Sequence, residues 1–175
     1  MRVNKNKLLE IFRIILLTAM LGTLVFIFVN SALPPELSDE QSAAVGGFIT
    51  SLIPEDTKLY DFVTEYIRKI AHFTEYGLLG IEVSVYIMLY AKRRGRAVLT
   101  ALPIPLFVGF TDETVQILSG RGPAIADVWI DIGGFMFFGS ISFGVLVAAF
   151  AIAKMIKEKR KNKLNEFSET EKTDG

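Results

Sequence analysis

One short segment combines carboxylates, an amide and an arginine in a pattern that could do acid–base or anion-binding chemistry. Asp112, Glu113 and Gln116 lie within about one helical turn, and Arg121 follows them in a glycine-rich turn. Carboxylates in different environments can form an acid–base pair. The planar guanidinium of Arg121 suits bidentate contacts with phosphate or carboxylate, although a salt bridge to Asp112 or Asp127 that fixes the turn is the alternative. The segment therefore predicts a polar site.

The other conspicuous polar residues also occur about one helical turn apart. His72 and Glu75 form one such pair, and Asp127 and Asp131 form another. His72 is the only histidine of the chain, and an imidazole can act as an acid or a base near neutral pH. A structural interpretation is equally open, in which His72 only makes a hydrogen bond between helices.

Composition limits the metal chemistry of such a site. The chain has no cysteine and one histidine, so a transition-metal site is not predicted. An oxygen-ligand site for Mg²⁺ or Ca²⁺ is a weaker alternative. We therefore predict no metal, and the sequence leaves the cofactor unknown. The carboxylates available for the weaker alternative are Asp112, Glu113, Asp127 and Asp131.

The polar residues lie at the ends of long apolar segments. The chain is 51% hydrophobic, with a mean hydropathy of +0.41. A membrane-spanning helix needs roughly 20 mostly apolar residues, and four segments have that length. Pro103 and Pro105 should bend or break the third, and glycines such as Gly134 should let the fourth pack closely. We predict an all-α, polytopic membrane protein with four transmembrane helices at about residues 8–30, 67–91, 97–118 and 128–153.

Charged residues orient these helices. Basic residues cluster before the first helix, at residues 92–96 and after residue 153, whereas residues 36–65 are rich in acids. Lysine and arginine favour the cytoplasmic side, so both termini are predicted to be cytoplasmic in a multi-pass protein of the cell membrane. The net charge is zero, which gives no indication of a nucleic-acid partner.

The acidic segment should lie on the outer side of the membrane. Its apolar residues recur at helical spacing, which predicts an amphipathic or re-entrant helix between the first and second spans. Ser38 and Gln41 match a capping box and would begin that helix. We predict one membrane domain over residues 1–165, followed by a disordered cytoplasmic tail over residues 166–175.

The polar motifs resemble those of the VanZ-like family. Three patterns occur in the family's order: K-x-x-H-F-x-x-Y from Lys69 to Tyr76, D-E-x-x-Q from Asp112 to Gln116, and then Arg121 with acids. Asp131 stands where many relatives have asparagine. The resemblance implies a small integral membrane protein of bacterial envelopes, in a family with a member associated with resistance to the glycopeptide teicoplanin.

We combine these observations in one functional hypothesis. An outer-leaflet polar pocket binds a lipid-linked or cell-wall anionic ligand in the bilayer and affects susceptibility to lipoglycopeptides such as teicoplanin, with chemical modification of the ligand left open. One alternative is a non-enzymatic protein whose polar cluster is structural and which acts through a partner. Another is a small transporter, for which Glu82 in mid-span is the best support. The candidate catalytic residues are His72, Glu113 and Asp112, and the candidate ligand-binding residues are Lys69, Glu75, Tyr76, Gln116, Arg121, Asp127 and Asp131.

Overall fold

The chain folds into helices joined by short connections. The computed structural model describes the backbone of residues 5–173 and the side chains of residues 6–162. Over this range the secondary structure is six helices and no strand, which confirms the predicted all-α class. The helices are α1 (Lys5–Ser31), α2 (Pro35–Thr50), α3 (Lys58–Tyr90), α4 (Arg94–Ala101), α5 (Ile104–Leu118) and α6 (Ile125–Thr173).

Three segments of the described chain are long and apolar enough to cross a membrane. They are Asn6–Ser31, Arg94–Leu118 and Ile125–Asn162, and they indicate a membrane protein. α3 is not among them, because its middle part carries charged residues such as Glu75 and Glu82. With 33 residues it is nevertheless about 50 Å long, which exceeds the thickness of a bilayer core. A fourth span in α3 therefore stays a prediction.

α3 and α6 form the centre of the bundle, because glycines let their backbones approach each other closely. A Cβ atom at Gly80 would overlap the carbonyl oxygen of Phe135, and one at Gly134 would overlap that of Phe73. Small residues allow this kind of approach between membrane helices. The close contact confirms the packing role predicted for Gly134, and it fixes the relative position of the polar residues on the two helices.

α2 begins earlier than the capping-box pattern predicts, so that prediction is wrong. Pro35 is the first residue of the helix, and the N-cap residue Pro34 makes no side-chain cap. Proline suits the first helical position because its φ is already fixed near the helical value and its missing N–H is not needed there. Ser38 instead lies inside the helix and is buried.

The prolines of the third apolar segment interrupt it as predicted. α4 ends at Ala101, and α5 begins at Ile104, immediately after Pro103.

α3 is irregular, with a kink at Tyr66 that separates a short first part from the long second part. α1 and α3 are joined in mid-bundle by the hydroxyl of Thr23, which donates a hydrogen bond of 3.0 Å to Oε1 of Glu82.

α6 continues beyond its apolar part. The helix reaches Thr173, so it runs through most of residues 166–175, where the sequence predicts a disordered tail. Residues 174 and 175 lie outside the described residues, as do the side chains beyond residue 162.

Candidate functional site

Four helices bring their polar residues together at one end of the bundle. Ser31 is the last residue of α1, His72 lies in α3, Asp112 and Gln116 lie near the end of α5, and Asp131 lies in the second turn of α6. Hydrogen bonds connect them in the structure. Residues that are distant in sequence therefore share one level of the bundle, as the arrangement of the apolar segments predicts.

Four carboxylates at this end of the bundle are buried. The side chains of Asp112 and Asp131 are completely enclosed, and those of Glu113 and Asp127 are also buried. Burying an ionised carboxylate is costly unless it is paired, hydrogen-bonded or bound to a cation. Within residues 6–162, no lysine or arginine forms an ion pair with any of the four.

His72 is the basic side chain that two of the buried carboxylates contact. Its Nδ1 atom lies 3.2 Å from Oδ1 of Asp131 and 3.8 Å from Oδ2 of Asp112. Asp112 is in turn held by the hydroxyl of Ser31 and by Nε2 of Gln116, which donates to it over 3.2 Å. We refer to His72, Asp112 and Asp131 as the buried triad. A histidine between two fixed aspartates is held in one orientation, as a catalytic or ligating imidazole must be.

Two buried oxygen atoms beside the triad have no hydrogen-bond partner. One is Oδ2 of Asp131, and the other is the hydroxyl of Tyr76, which follows His72 by one turn of α3. Both side chains are completely enclosed. Buried polar atoms in folded proteins are nearly always satisfied, so these two point to a group that the protein atoms alone do not supply.

Glu113 has a different environment from its neighbour Asp112. Its Oε2 accepts a hydrogen bond of 2.6 Å from the backbone N–H of Ala124, and its Oε1 accepts one of 3.2 Å from Gln116. Ala124 directly precedes α6, so Glu113 ties the end of α5 to the start of α6. Each of its oxygens accepts one hydrogen bond, and the bond from Ala124 holds this turn.

A cavity of about 220 Å³ opens beside the triad, and two arginines line it. Arg68 donates from Nη2 to Oε1 of Gln116 over 2.9 Å, and Arg121 donates from Nη1 to the carbonyl oxygen of Asn30 over 3.2 Å. The Nε atoms of both arginines are buried without a partner. We call this space the arginine cavity; its wall also includes His72.

The two guanidinium groups influence each other. Partial burial, and then the charge of Arg68, lower the pKa of Arg121 from its ordinary value. Arg121 forms no ion pair with a carboxylate in the described part of the chain, so the alternative interpretation, a salt bridge to Asp112 or Asp127, does not hold there. Two positive groups held together in a partly desolvated place favour a bound anion.

The structure separates the predicted ligand-binding residues into groups. Asp131 belongs to the triad, and Gln116 donates to it through Asp112. Arg121 lines the cavity, and Asp127 is buried in the first turn of α6. Glu75 lines the cavity and accepts a hydrogen bond of 3.0 Å from Asn30. The structure does not bring Lys69 into this group.

Lys69 points away from the cavity. Its side chain is exposed, and its ammonium group lies 5.2 Å from the centre of the Tyr66 ring. Lys69 and Arg68 are adjacent in sequence, and neighbouring helical residues point about 100° apart, so only one of them can face the bundle. Arg68 is the one that does, because its guanidinium reaches Gln116 on α5.

Sequence reasoning missed three residues of the site. Helical spacing places Arg68 on the same face as His72 and Glu75, but the sequence alone suggests for it only an anchor at the membrane interface. Asn30 and Ser31 stand at the end of the first predicted span, and no role is predicted for them. The available signal was their position. Asn30 and Ser31 are consecutive polar residues at the same end of the bundle as the other polar motifs, and side chains there can bond across helices.

Comparison with known families identifies the family of the chain. A sequence model described as VanZ/LLP1 matches residues 11–152, which include every residue of the triad and of the arginine cavity. The chain belongs to the VanZ/LLP1 family. Comparisons with curated proteins and with solved structures gave no match. Family membership confirms the resemblance to VanZ-like proteins.

Proposed function

We propose that this VanZ/LLP1-family protein binds an anionic headgroup in the arginine cavity. The observation that carries the proposal is the pair Arg68 and Arg121, which line one cavity with their Nε atoms buried and unpaired. A phosphate or carboxylate would supply acceptors for these donors and relieve the repulsion between the two guanidinium groups. The ligand class is a lipid-linked or cell-wall-related anion, because the cavity opens at the end of membrane-embedded helices.

The membrane arrangement follows from the same proposal. The second part of α3, from residue 67, crosses the bilayer as a fourth span, and α2 lies on the outer surface. Basic residues at 92–96 and after residue 153 hold those ends in the cytoplasm. The arginine cavity then opens to the outer leaflet, and α2 contributes Ser38 to its wall.

His72 would act between the ligand and the buried acids. It lines the cavity on one side and contacts Asp131 on the other. An imidazole in that position can move a proton to or from a bound headgroup, with Asp131 fixing its orientation. Whether a reaction takes place is a separate question from binding. Binding alone, or binding followed by a reaction, would change the susceptibility of cells to teicoplanin-like lipoglycopeptides.

A structural role is the second candidate, and one observation favours it. A continuous chain of hydrogen bonds runs from Ser31 through Asp112 and Gln116 to Glu113 and Ala124, joining α1, α5 and the start of α6. Such a chain would hold the helix ends together without any ligand, and the protein would then act through a partner.

Arg121→Lys and Arg68→Lys separate the two candidates, because lysine keeps the charge and removes the planar fork. We expect each variant to reduce the protection that the expressed protein gives cells against a teicoplanin-like lipoglycopeptide, while the melting temperature of the purified variant stays that of the wild type. Arg96→Lys is the matched control, since Arg96 is exposed at the opposite end of the bundle. If protection and melting temperature fall together in the cavity variants, the structural role is correct.

A further inference from the structure

The buried triad has the geometry of a cation site. One donor atom from each of His72, Asp112 and Asp131 can be chosen so that all three lie within 4.8 Å of one another. Around a metal with bonds of about 2.1 Å, neighbouring ligand atoms are about 3 Å apart and opposite ones about 4.2 Å apart. The separations of 3.2 Å and 3.8 Å from Nδ1 of His72 fall within that range. Small side-chain rotations would bring all three atoms onto one ion.

The charges around the triad also call for a cation. Asp112 and Asp131 are completely enclosed, Asp127 and Glu113 are buried nearby, and no lysine or arginine of residues 6–162 pairs with them. Arg68, which lies on the same helix as His72, donates its hydrogen bond to the neutral amide of Gln116. A protonated imidazole offsets one negative charge, whereas a divalent ion offsets two.

The unpartnered oxygens provide the independent indication of a ligand. Oδ2 of Asp131 and the hydroxyl of Tyr76 are enclosed and lack any partner in the described protein. Tyr76 lies on the same face of α3 as His72, one turn further on, and within electrostatic range of Asp131 and Asp112. An ion held by the triad would supply the missing partner of Asp131.

The remaining contacts resemble the outer shell of a metal site. Asp112 uses its other bonding positions on Ser31 and Gln116, which would fix the direction of its ligating oxygen. Hydrogen bonds from such outer residues orient ligands and contribute strongly to affinity. The structure therefore brings together three possible metal-ligating side chains, buried carboxylates that lack a lysine or arginine partner, and neighbouring residues that orient Asp112.

We propose that the buried triad binds one divalent cation that accepts both imidazole nitrogen and carboxylate oxygen, namely Zn²⁺ or Mn²⁺. This departs from the sequence expectation of no metal. The single histidine argued against a transition metal, but the fold adds two enclosed aspartates to it. Mg²⁺ and Ca²⁺ prefer oxygen ligands throughout, so a site that uses Nδ1 of His72 selects against them. Cation binding by the triad does not require an anion in the arginine cavity.

The test is direct metal binding by the full-length protein, purified in detergent and stripped with a chelator. After dialysis against Zn²⁺ or Mn²⁺, elemental analysis should find about one ion per chain, and an excess of Mg²⁺ or Ca²⁺ should not displace it. Asp131→Asn and His72→Gln should each weaken binding by roughly tenfold or more. Glu82→Gln is the matched control, because Glu82 is another buried carboxylate of α3 with one unpartnered oxygen.

Melting temperatures show whether a variant that loses metal binding is still folded. The bound ion should raise the melting temperature of the wild type and of Glu82→Gln, and this rise should be lost in Asp131→Asn and His72→Gln. Without metal, Asp131→Asn should be as stable as the wild type, because it removes one of several buried like charges. The proposal is overturned if the wild type binds neither ion, if only Mg²⁺ or Ca²⁺ binds, or if both triad variants retain the rise.

Arg121→Lys distinguishes this inference from the proposed function. It should bind Zn²⁺ or Mn²⁺ as the wild type does, since Arg121 contacts Asn30 rather than the triad. Failure of metal binding would leave the arginine cavity and its protection test intact. Loss of the anion-binding function with normal metal binding would leave the cation site intact.

Discussion

At the scale of single residues, adjacent acids with the same chemistry have different tasks. Asp112 faces His72 and the bundle interior, whereas Glu113 accepts a hydrogen bond from the backbone N–H of Ala124. The difference follows from helical geometry, because consecutive residues point about 100° apart. By residue type and position in the sequence, both are catalytic candidates. The structure assigns only Asp112 to the histidine, and Glu113 to the turn before α6.

Glu113→Ala should therefore reduce stability. The change leaves the N–H of Ala124 without an acceptor and removes one of the two acceptors of the Gln116 amide, which keeps Asp112. An unsatisfied buried group costs about 1–3 kcal/mol. Thermal unfolding of the purified variant should show this loss. Thr114→Ala is the control, because Thr114 is exposed and its hydroxyl bonds only to the carbonyl of Phe110 in the same helix. Equal melting temperatures for the two variants would show that Glu113 does not hold the turn.

At the scale of helices, glycine contacts set the distance between α3 and α6. Gly80 and Gly134 each face a backbone carbonyl of the other helix, so the two helices cannot separate without moving His72 away from Asp131. The proline break between α4 and α5 has a simpler local cause, since neither Pro103 nor Pro105 can donate a backbone hydrogen bond.

Gly134→Ala should disturb both stability and the site. The added methyl group would overlap the carbonyl oxygen of Phe73, and overpacking of this kind typically costs about 1–3 kcal/mol. Gly144→Ala is the matched control in the same helix, because nothing lies within 4 Å of its added Cβ. We expect a lower melting temperature for Gly134→Ala alone. A wild-type melting temperature for this variant would mean that α3 and α6 are less closely packed than described.

Elements were easier to predict from the sequence than contacts. Hydrophobic length and prolines act locally, so the apolar helices and the break near Pro103 could be read from residue order. The start of α2 could not, because Ser38 matched a cap while Pro35 was the better first residue. Contacts such as Asn30 with Glu75 depend on which faces of α1 and α3 meet, and no local pattern determines that.

At the scale of the whole molecule, one end of the bundle carries the buried polar cluster and the other carries basic side chains. The cluster joins the ends of α1 and α5 to the beginning of α6. Arg93, Arg94 and Arg96 lie at the start of α4, just beyond the far end of α3, and are exposed. This polarity matches an outer site and a cytoplasmic anchor, which is the orientation that the proposed function requires.

Cysteine labelling tests this orientation, since the native chain has no cysteine. Single cysteines at positions 40, 58 and 122 should react with an impermeant thiol reagent applied to intact cells. Cysteines at positions 94 and 161 should react only after the cells are opened. All five positions are exposed in the structure, so a difference in labelling between them would come from the side of the membrane and not from burial in the protein. Labelling of position 94 in intact cells would reverse the proposed topology.

The end of α1 has a consequence for how the protein can be rebuilt. Asn30 and Ser31 supply contacts to Glu75, Arg121 and Asp112, so the first helix is part of the site as well as a membrane anchor. A chimera with a foreign first helix of equal length would insert but would lack these contacts. Conversely, a chain divided in the connection at residues 32–34 keeps all of them available, so two co-expressed fragments have a specific surface on which to reassemble.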